Sequence, residues 1–258
     1  MYKIVFFDAD GTLLSEIDRR MPQSTIEAIE RLIDRGIKVV VATGRPYNLC
    51  EEFKTVGIDT IICANGALVK CNDTTIYKSV LRTETVRMVS DFAELNDHAL
   101  SYFTEKYAMN GKGSENQQIM SALKETLTLT DYPERVGSLS EEIYGMCLYV
   151  DESEAQKFVD RFPTLKFKRW HNYVMNVYED TEASKSSAII QVLDYYNICR
   201  SEAIAFGDGG NDIDMLEYVG LGIAMGNAEQ ELQDKADFIT KKASEDGISY
   251  ALQYFSVI

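Results

Sequence analysis

The chain has 258 residues, 45% of them hydrophobic and 26% charged, enough for a full core in one large domain or two modest ones. Its 41 acidic against 26 basic side chains leave a net charge of −15. That charge excludes binding to DNA, RNA or an anionic membrane, which needs Lys and Arg to neutralise phosphates. A small anionic substrate is compatible with it, since one cationic side chain or one metal ion reverses the field locally.

Cys50, Cys63, Cys71, Cys147 and Cys199 are odd in number, scattered and free of any Cys-x-x-Cys pair. This argues against a disulfide framework or structural zinc and for a reducing compartment. The longest apolar runs, Ile4–Phe7 and Val39–Ala42, fall far short of a membrane span. Met1-Tyr2-Lys3 leads into Ile-Val-Phe-Phe without the pattern of a cleaved leader. The expectation is a soluble, cytoplasmic protein.

In chain order, Lys3–Phe7 predicts a strand buried on both faces. Pro22–Asp34 predicts an amphipathic helix with Ile26, Ile29, Leu32 and Ile33 on one stripe and Gly36 as its stop. Ile37–Ala42 and Thr60–Cys63 are further strands, and this alternation implies a parallel sheet with right-handed crossovers. Residues 67–81 predict a hairpin about Asn72-Asp73, and Thr83–Leu95 a helix. The polar stretch 105–118 reads as loop. Gly145–Val150, Lys166–Trp170 and Val174–Tyr178 read as strands, the last two an antiparallel pair, with a helix at Ser153–Phe162. The strand–helix grammar then returns: helices at Ser184–Tyr196, Asn211–Tyr218, Glu229–Ala236 and Gly247–Phe255, strands at Ala203–Phe206, Leu221–Ala224 and Phe238–Thr240. The expected class is α/β. A Rossmann-like, mostly parallel core comes from residues 1–82 and 183–258, with an α+β domain inserted at 83–182.

The first strand ends in Asp8-Ala9-Asp10-Gly11-Thr12, and open parallel sheets bind ligands beyond the carboxyl ends of their strands. Two aspartates at i and i+2 can approach one divalent cation, one by its side chain and the other by its backbone oxygen, leaving a carboxyl free. Gly11 permits the sharp exit, and Thr12 can hydrogen-bond the loop or a carboxylate. An acidic turn is the plain alternative, but four fixed letters recur by chance in only about one chain in six hundred at this length.

Thr43-Gly44-Arg45 closes the second strand. Its hydroxyl and amide can donate to an oxyanion or simply mark a turn; Arg45 can clamp a phosphate or pair with a carboxylate. Lys185 opens a helix, where the macrodipole disfavours a cation. A bound phosphate or a buried carboxylate would explain it, and an exposed lysine is the bland alternative. Gly207-Asp208-Gly209-Gly210-Asn211-Asp212 follows another strand, and its carboxylates Asp208 and Asp212 are hard oxygen ligands of the kind that favour Mg²⁺.

In this order and context, these segments resemble the haloacid dehalogenase-like phosphatases, and the Cof-type branch in particular. The likeness extends to Cys63-Ala64-Asn65-Gly66-Ala67 and Glu245-Asp246-Gly247, and the insertion resembles a C2B-type cap. The resemblance implies Asp8 as a nucleophile that forms an aspartyl-phosphate and Asp10 as general acid, then base. It implies phosphate contacts from Ala9, Thr43, Gly44, Lys185 and Asn211. Mg²⁺ would lie on Asp8, the Asp10 carbonyl and Asp208, with Asp212 as ligand or just behind. Arg45, Asn65 and Asn176 are candidates for further substrate contacts, the last beside Trp170–Tyr173, for which a β-turn of packing aromatics is the favoured reading. His98 and His171 have no Cys or His neighbours at metal spacing. A phosphomutase and a non-catalytic binding protein of the same fold are the rival expectations. The expected partner is a small phosphorylated metabolite, with the chain a monomer or weak homo-oligomer.

Overall fold

Ile4–Phe7 (β1) is buried along its whole length, as four successive apolar β-formers demand when both faces of a strand are covered. The computed structural model describes residues 1–179 and 183–258; the end of the insertion expected at residue 182 lies outside them. In chain order β1 is followed by α1 (Gln23–Asp34), β2 (Lys38–Ala42), α2 (Glu51–Lys54), β3 (Thr60–Cys63), β4 (Leu68–Cys71) and β5 (Thr74–Lys78). Next come α3 (Thr83–Leu95), β6 (Ala99–Phe103), β7 (Tyr107–Met109), α4 (Gln117–Leu127), β8 (Gly145–Tyr149), α5 (Glu152–Arg161), β9 (Lys166–His171) and β10 (Val174–Tyr178). The chain ends with α6 (Lys185–Tyr196), β11 (Ala203–Gly207), α7 (Ile213–Tyr218), β12 (Leu221–Ala224), α8 (Gln230–Gln233), β13 (Phe238–Ile239) and α9 (Gly247–Tyr254).

Two compact units result. The first comprises Met1–Gly44, Cys50–Lys78 and Ala183–Ile258. Among the described residues its sheet runs β13-β12-β11-β1-β2-β3-β4-β5. Neighbours from β13 to β3 pair in parallel, and the hairpin β4–β5 adds an antiparallel edge. The expected α/β class with a mainly parallel core is borne out. On one face Ile4, Phe6, Val40 and Ile62 pack against Ile189 and Val192 of α6 and Met215 of α7. Burying each such side chain is worth about 1.5–3 kcal/mol, against about 0–1 kcal/mol for an exposed ion pair. Apolar layering therefore holds the sheet to its helices. Phe7 pairs with Val41 of β2 and Phe206 of β11, so the segments that follow these three strands emerge along one carboxyl edge.

The second unit comprises Arg45–Leu49 and Ser79–Glu182, and its sheet is antiparallel, in the order β7-β6-β8-β10-β9. Leu100, Tyr102, Met146, Leu148, Met175 and Val177 form a core with Val86 and Val89 of α3 and Phe158 of α5. One expectation is corrected here. The stretch 105–118 is not all loop, since it contains β7 and the start of α4. Only Tyr107-Ala108-Met109 pairs with β6, between polar neighbours, too few residues for a periodicity to show. The Asn116 side chain accepts from the N–H groups of Gln118 and Ile119, so an asparagine that suggested a loop is the cap of a helix. Among the described residues, no helix is long and apolar enough to cross a membrane.

Glu179, buried just after β10, ties that strand to the start of α3. It accepts from the Arg82 N–H at 3.2 Å, from Arg82 Nε at 2.7 Å and from the Thr85 hydroxyl, a carboxylate placed where a helix N-terminus favours one. Burial works against its charge, but the Thr85 and Arg82 hydrogen bonds outweigh it and hold Glu179 below the ordinary 4.5. A depressed pKa stabilises the fold above the ordinary value, and that stabilisation is lost as pH falls through the lower folded value. Glu179→Gln should therefore cost about 1–3 kcal/mol at neutral pH, with the gap to wild type closing in acid. Denaturant unfolding at neutral and acidic pH checks this; a gap independent of pH would point to packing instead.

Candidate active site

At the carboxyl edge the Asp8 N–H donates to the Phe206 carbonyl at 2.9 Å, continuing the pairing of β1 with β11. Asp8 is buried, and Lys185, the first residue of α6 and 1% exposed, donates from Nζ to its Oδ1 at 2.5 Å and to Asp212 Oδ1 at 2.6 Å. Two buried carboxylates thus offset an ammonium that the macrodipole would disfavour. Ser184 caps the same helix, its hydroxyl accepting from the Ser187 N–H. The other oxygen of Asp212 accepts from the N–H groups of Asp208 and Gly209, at 3.0 and 3.1 Å. Both Asp212 oxygens are therefore engaged in holding the loop and Lys185.

Asp208 faces Asp8 across the site. Thr12 Oγ1 donates to its Oδ1 at 3.0 Å. Gly11 has φ +86°, and a Cβ there would lie 2.1 Å from Asp208 Oδ2, so the turn after β1 admits Asp208 only because residue 11 has no side chain. Burial raises the pKa of Asp8 well above the ordinary carboxylate range, reinforced by Asp212 and Asp208 and opposed by Lys185. Burial, then repulsion from Asp212, pushes Asp208 up to about 7. For Lys185, burial opposes the charge, but Asp212 and Asp8 outweigh it and its pKa is raised.

Asp8, Asp208 and Asp212 each offer a carboxylate oxygen within 4.8 Å of the other two. Three carboxylates against one ammonium leave uncompensated negative charge among hard oxygens, and the donor set fits a divalent cation. The Asp10 side chain is exposed and stands outside this cluster. Thr43 is buried, and its carbonyl accepts from the Asn65 N–H at 3.1 Å. Gly44 lies against the Asn65 side chain. Asn211, exposed, donates from Nδ2 to Asn65 Oδ1 at 3.1 Å. Ala9 is buried between the two aspartates.

Arg45 and Asn176 belong to the second unit. Arg45 is buried. The Asn176 carbonyl accepts from Trp170 Nε1 at 3.0 Å and from the Cys147 thiol, and its amide donates to the Tyr178 hydroxyl.

Two residues of the first unit escaped the sequence reading. Asn227 donates to the Gly11 carbonyl at 2.8 Å, lies 3.4 Å from Asp208 Oδ2, and accepts from the Ala243 N–H at 3.0 Å. Asp214 accepts from the Ser186 N–H at 3.0 Å in the first turn of α6. Asn227 follows the carboxyl end of β12, so the edge rule that singled out Asp8 reaches it too. Asp214 lies within a helix and carries no such signal.

The sequence model of the haloacid dehalogenase-like hydrolase family matches residues 5–252, and the chain belongs to that family. YkrA of Bacillus subtilis (strain 168), provisionally named a phosphatase, is 32% identical over 259 residues, covering 99% of this chain and 98% of its own. The solved structure of the subclass IIB sugar phosphatase BT4131 superposes with a TM-score of 0.83 at 32% identity, covering 99% of this chain and 100% of that one. The phosphatase YitU of the same B. subtilis strain, named for 5-amino-6-(5-phospho-D-ribitylamino)uracil, is 26% identical over 98% of each chain. The resemblance read from the motifs is borne out, and the chain is a phosphoric monoester hydrolase of this family.

Proposed function

We propose that the chain hydrolyses small phosphomonoesters, such as sugar phosphates or phosphorylated cofactors, with Mg²⁺ and through an aspartyl-phosphate on Asp8. The observation that carries this is a buried carboxylate held by a buried ammonium at the carboxyl edge of the sheet, with Asp208 beside it. Asp8 Oδ2 attacks phosphorus as the ester P–O bond breaks, and Asp10 gives the departing alkoxide its proton. Water then attacks phosphorus, its proton passes to Asp10, and the bond to Asp8 breaks, releasing phosphate. Splitting the displacement in this way needs Asp8 ionised as it attacks, the form favoured by the Lys185 ammonium that donates to its Oδ1.

Asp8, Asp208 and the Asp10 carbonyl would hold Mg²⁺, with Asp212 behind, and the ion would offset repulsion between carboxylate and phosphate. Lys185 adds positive charge on the same side, while Ala9, Thr43, Gly44 and Asn211 would orient the phosphoryl oxygens. Those contacts serve any phosphomonoester, so discrimination among leaving groups is assigned to the insertion at 83–182. The substrates named for the relatives make sugar and ribityl phosphates the first to try.

The test is a panel of sugar, polyol, nucleotide and cofactor phosphates, with phosphate release and product identity followed with Mg²⁺ and with a chelator. Phosphate release that the chelator abolishes is expected. Isomerised sugar phosphate in place of free phosphate would favour a phosphomutase, and no turnover on any ester would favour a binding protein.

A further inference from the structure

Three consecutive residues after β3 hold positive φ: Ala64 at 50°, Asn65 at 53° and Gly66 at 100°. Such a run is costly, for alanine above all, and persists only where its surroundings impose it; strain of this kind collects at functional sites. The turn meets the segments that carry Thr43 and Lys185. The Asn65 N–H donates to the Thr43 carbonyl at 3.1 Å. At Gly66 a Cβ would lie 2.0 Å from the Ser184 carbonyl, so the turn packs directly on the residue before Lys185.

The Asn65 side chain completes the arrangement. Its amide covers Gly44 so closely that a Cβ on Gly44 would lie 3.1 Å from Oδ1 and 3.2 Å from Nδ2. Its Oδ1 accepts from Asn211 Nδ2. Among the described residues, Asn65 Nδ2 donates no hydrogen bond, and the bond to Asn65 uses one of the two Asn211 amide hydrogens. Two carboxamides from different loops are thus joined beside Thr43 and Gly44 with N–H donors to spare, in a chain whose charge is −15. Neutral donors bind an oxyanion without adding a cation that the neighbouring carboxylates would capture.

We propose that Asn65 and Asn211 act as one oxyanion-binding pair, in which Asn65, fixed by the strained turn, contacts a phosphoryl oxygen directly. This rests on the phosphatase reading. Asparagine also tolerates left-handed backbone, so a role in the turn alone must be separable. Asn65→Gly keeps that conformation and removes the amide, while Asn65→Asp keeps the shape and turns a donor into an anionic acceptor. The experiment is calorimetric titration of inorganic phosphate into the full chain with Mg²⁺ present, beside its melting temperature and its Mg²⁺ affinity.

Asn65→Gly is expected to weaken phosphate binding roughly tenfold or more, as loss of a hydrogen bond to a charged group does, and Asn65→Asp more still. Melting temperature and Mg²⁺ affinity should stay near wild type. If the wild type binds phosphate and releases it from esters, and Asn65→Gly binds it equally well, this proposal alone is overturned. A wild type that neither binds phosphate nor hydrolyses an ester overturns the phosphatase reading, and this proposal with it.

Discussion

Asp8→Asn is expected to lower kcat by on the order of 10⁴-fold or more, the scale on which removing a covalent nucleophile acts, while the fold survives intact. The amide is nearly isosteric with the carboxylate, and its oxygen can still accept from Lys185, but it cannot displace an alkoxide from phosphorus. Stability moves the other way. Asp8 has its pKa raised by burial and by Asp212 and Asp208. A carboxyl of that kind stabilises the fold only in its protonated form, and the contribution is lost as pH rises through the raised value. At neutral pH the neutral Asn side chain removes part of that repulsion, so the variant should melt no lower than wild type without metal. Turnover on the best ester of the panel, paired with a melting curve, checks both halves. Turnover near the wild-type level would remove Asp8 from the role of nucleophile altogether.

What could be read before the structure divides along physical lines. The Asp8–Thr12 segment was legible because a buried strand and an acidic turn are adjacent in sequence, so one parallel-sheet rule places the residues. The same holds for Thr43-Gly44 and Gly207–Asp212. Lys185 was ambiguous, since nothing local distinguishes an exposed lysine from one paired across 177 and 27 residues with Asp8 and Asp212. The engagement of both Asp212 oxygens likewise depends on loop closure. Nor could composition disclose β7, because three residues show no period. The buried stripe Ile119, Ala122, Leu123 and Leu127 of α4 was present at helical spacing but lay behind a polar start that resembled loop.

The buried Lys185 ammonium is paired with both Asp8 and Asp212, so its removal should have a large effect on stability. Lys185→Met keeps most of the side chain's volume and removes the charge, stranding two carboxylates in a site from which water is largely excluded. Breaking a buried pair from one side costs about 3–5 kcal/mol. For a chain of this size that corresponds to a fall in melting temperature of roughly 6–20 °C. Since the loss comes from uncompensated negative charge and not from a cavity, it should be reversible from the other side. Adding Asp8→Asn to Lys185→Met should recover stability relative to Lys185→Met alone, a coupling that a double-mutant cycle reads directly. Activity should not recover in any of these variants. Under the mechanism proposed above, in which Lys185 is a fixed cation beside the transferring phosphoryl group, Lys185→Met should cost on the order of 10²–10³ in kcat even where it stays folded. The deciding measurement is melting of the four proteins of the cycle at neutral pH without metal. If Lys185→Met melts with wild type, or Asp8→Asn lowers the stability of both backgrounds equally, the ammonium is not the counterion on which this cluster depends.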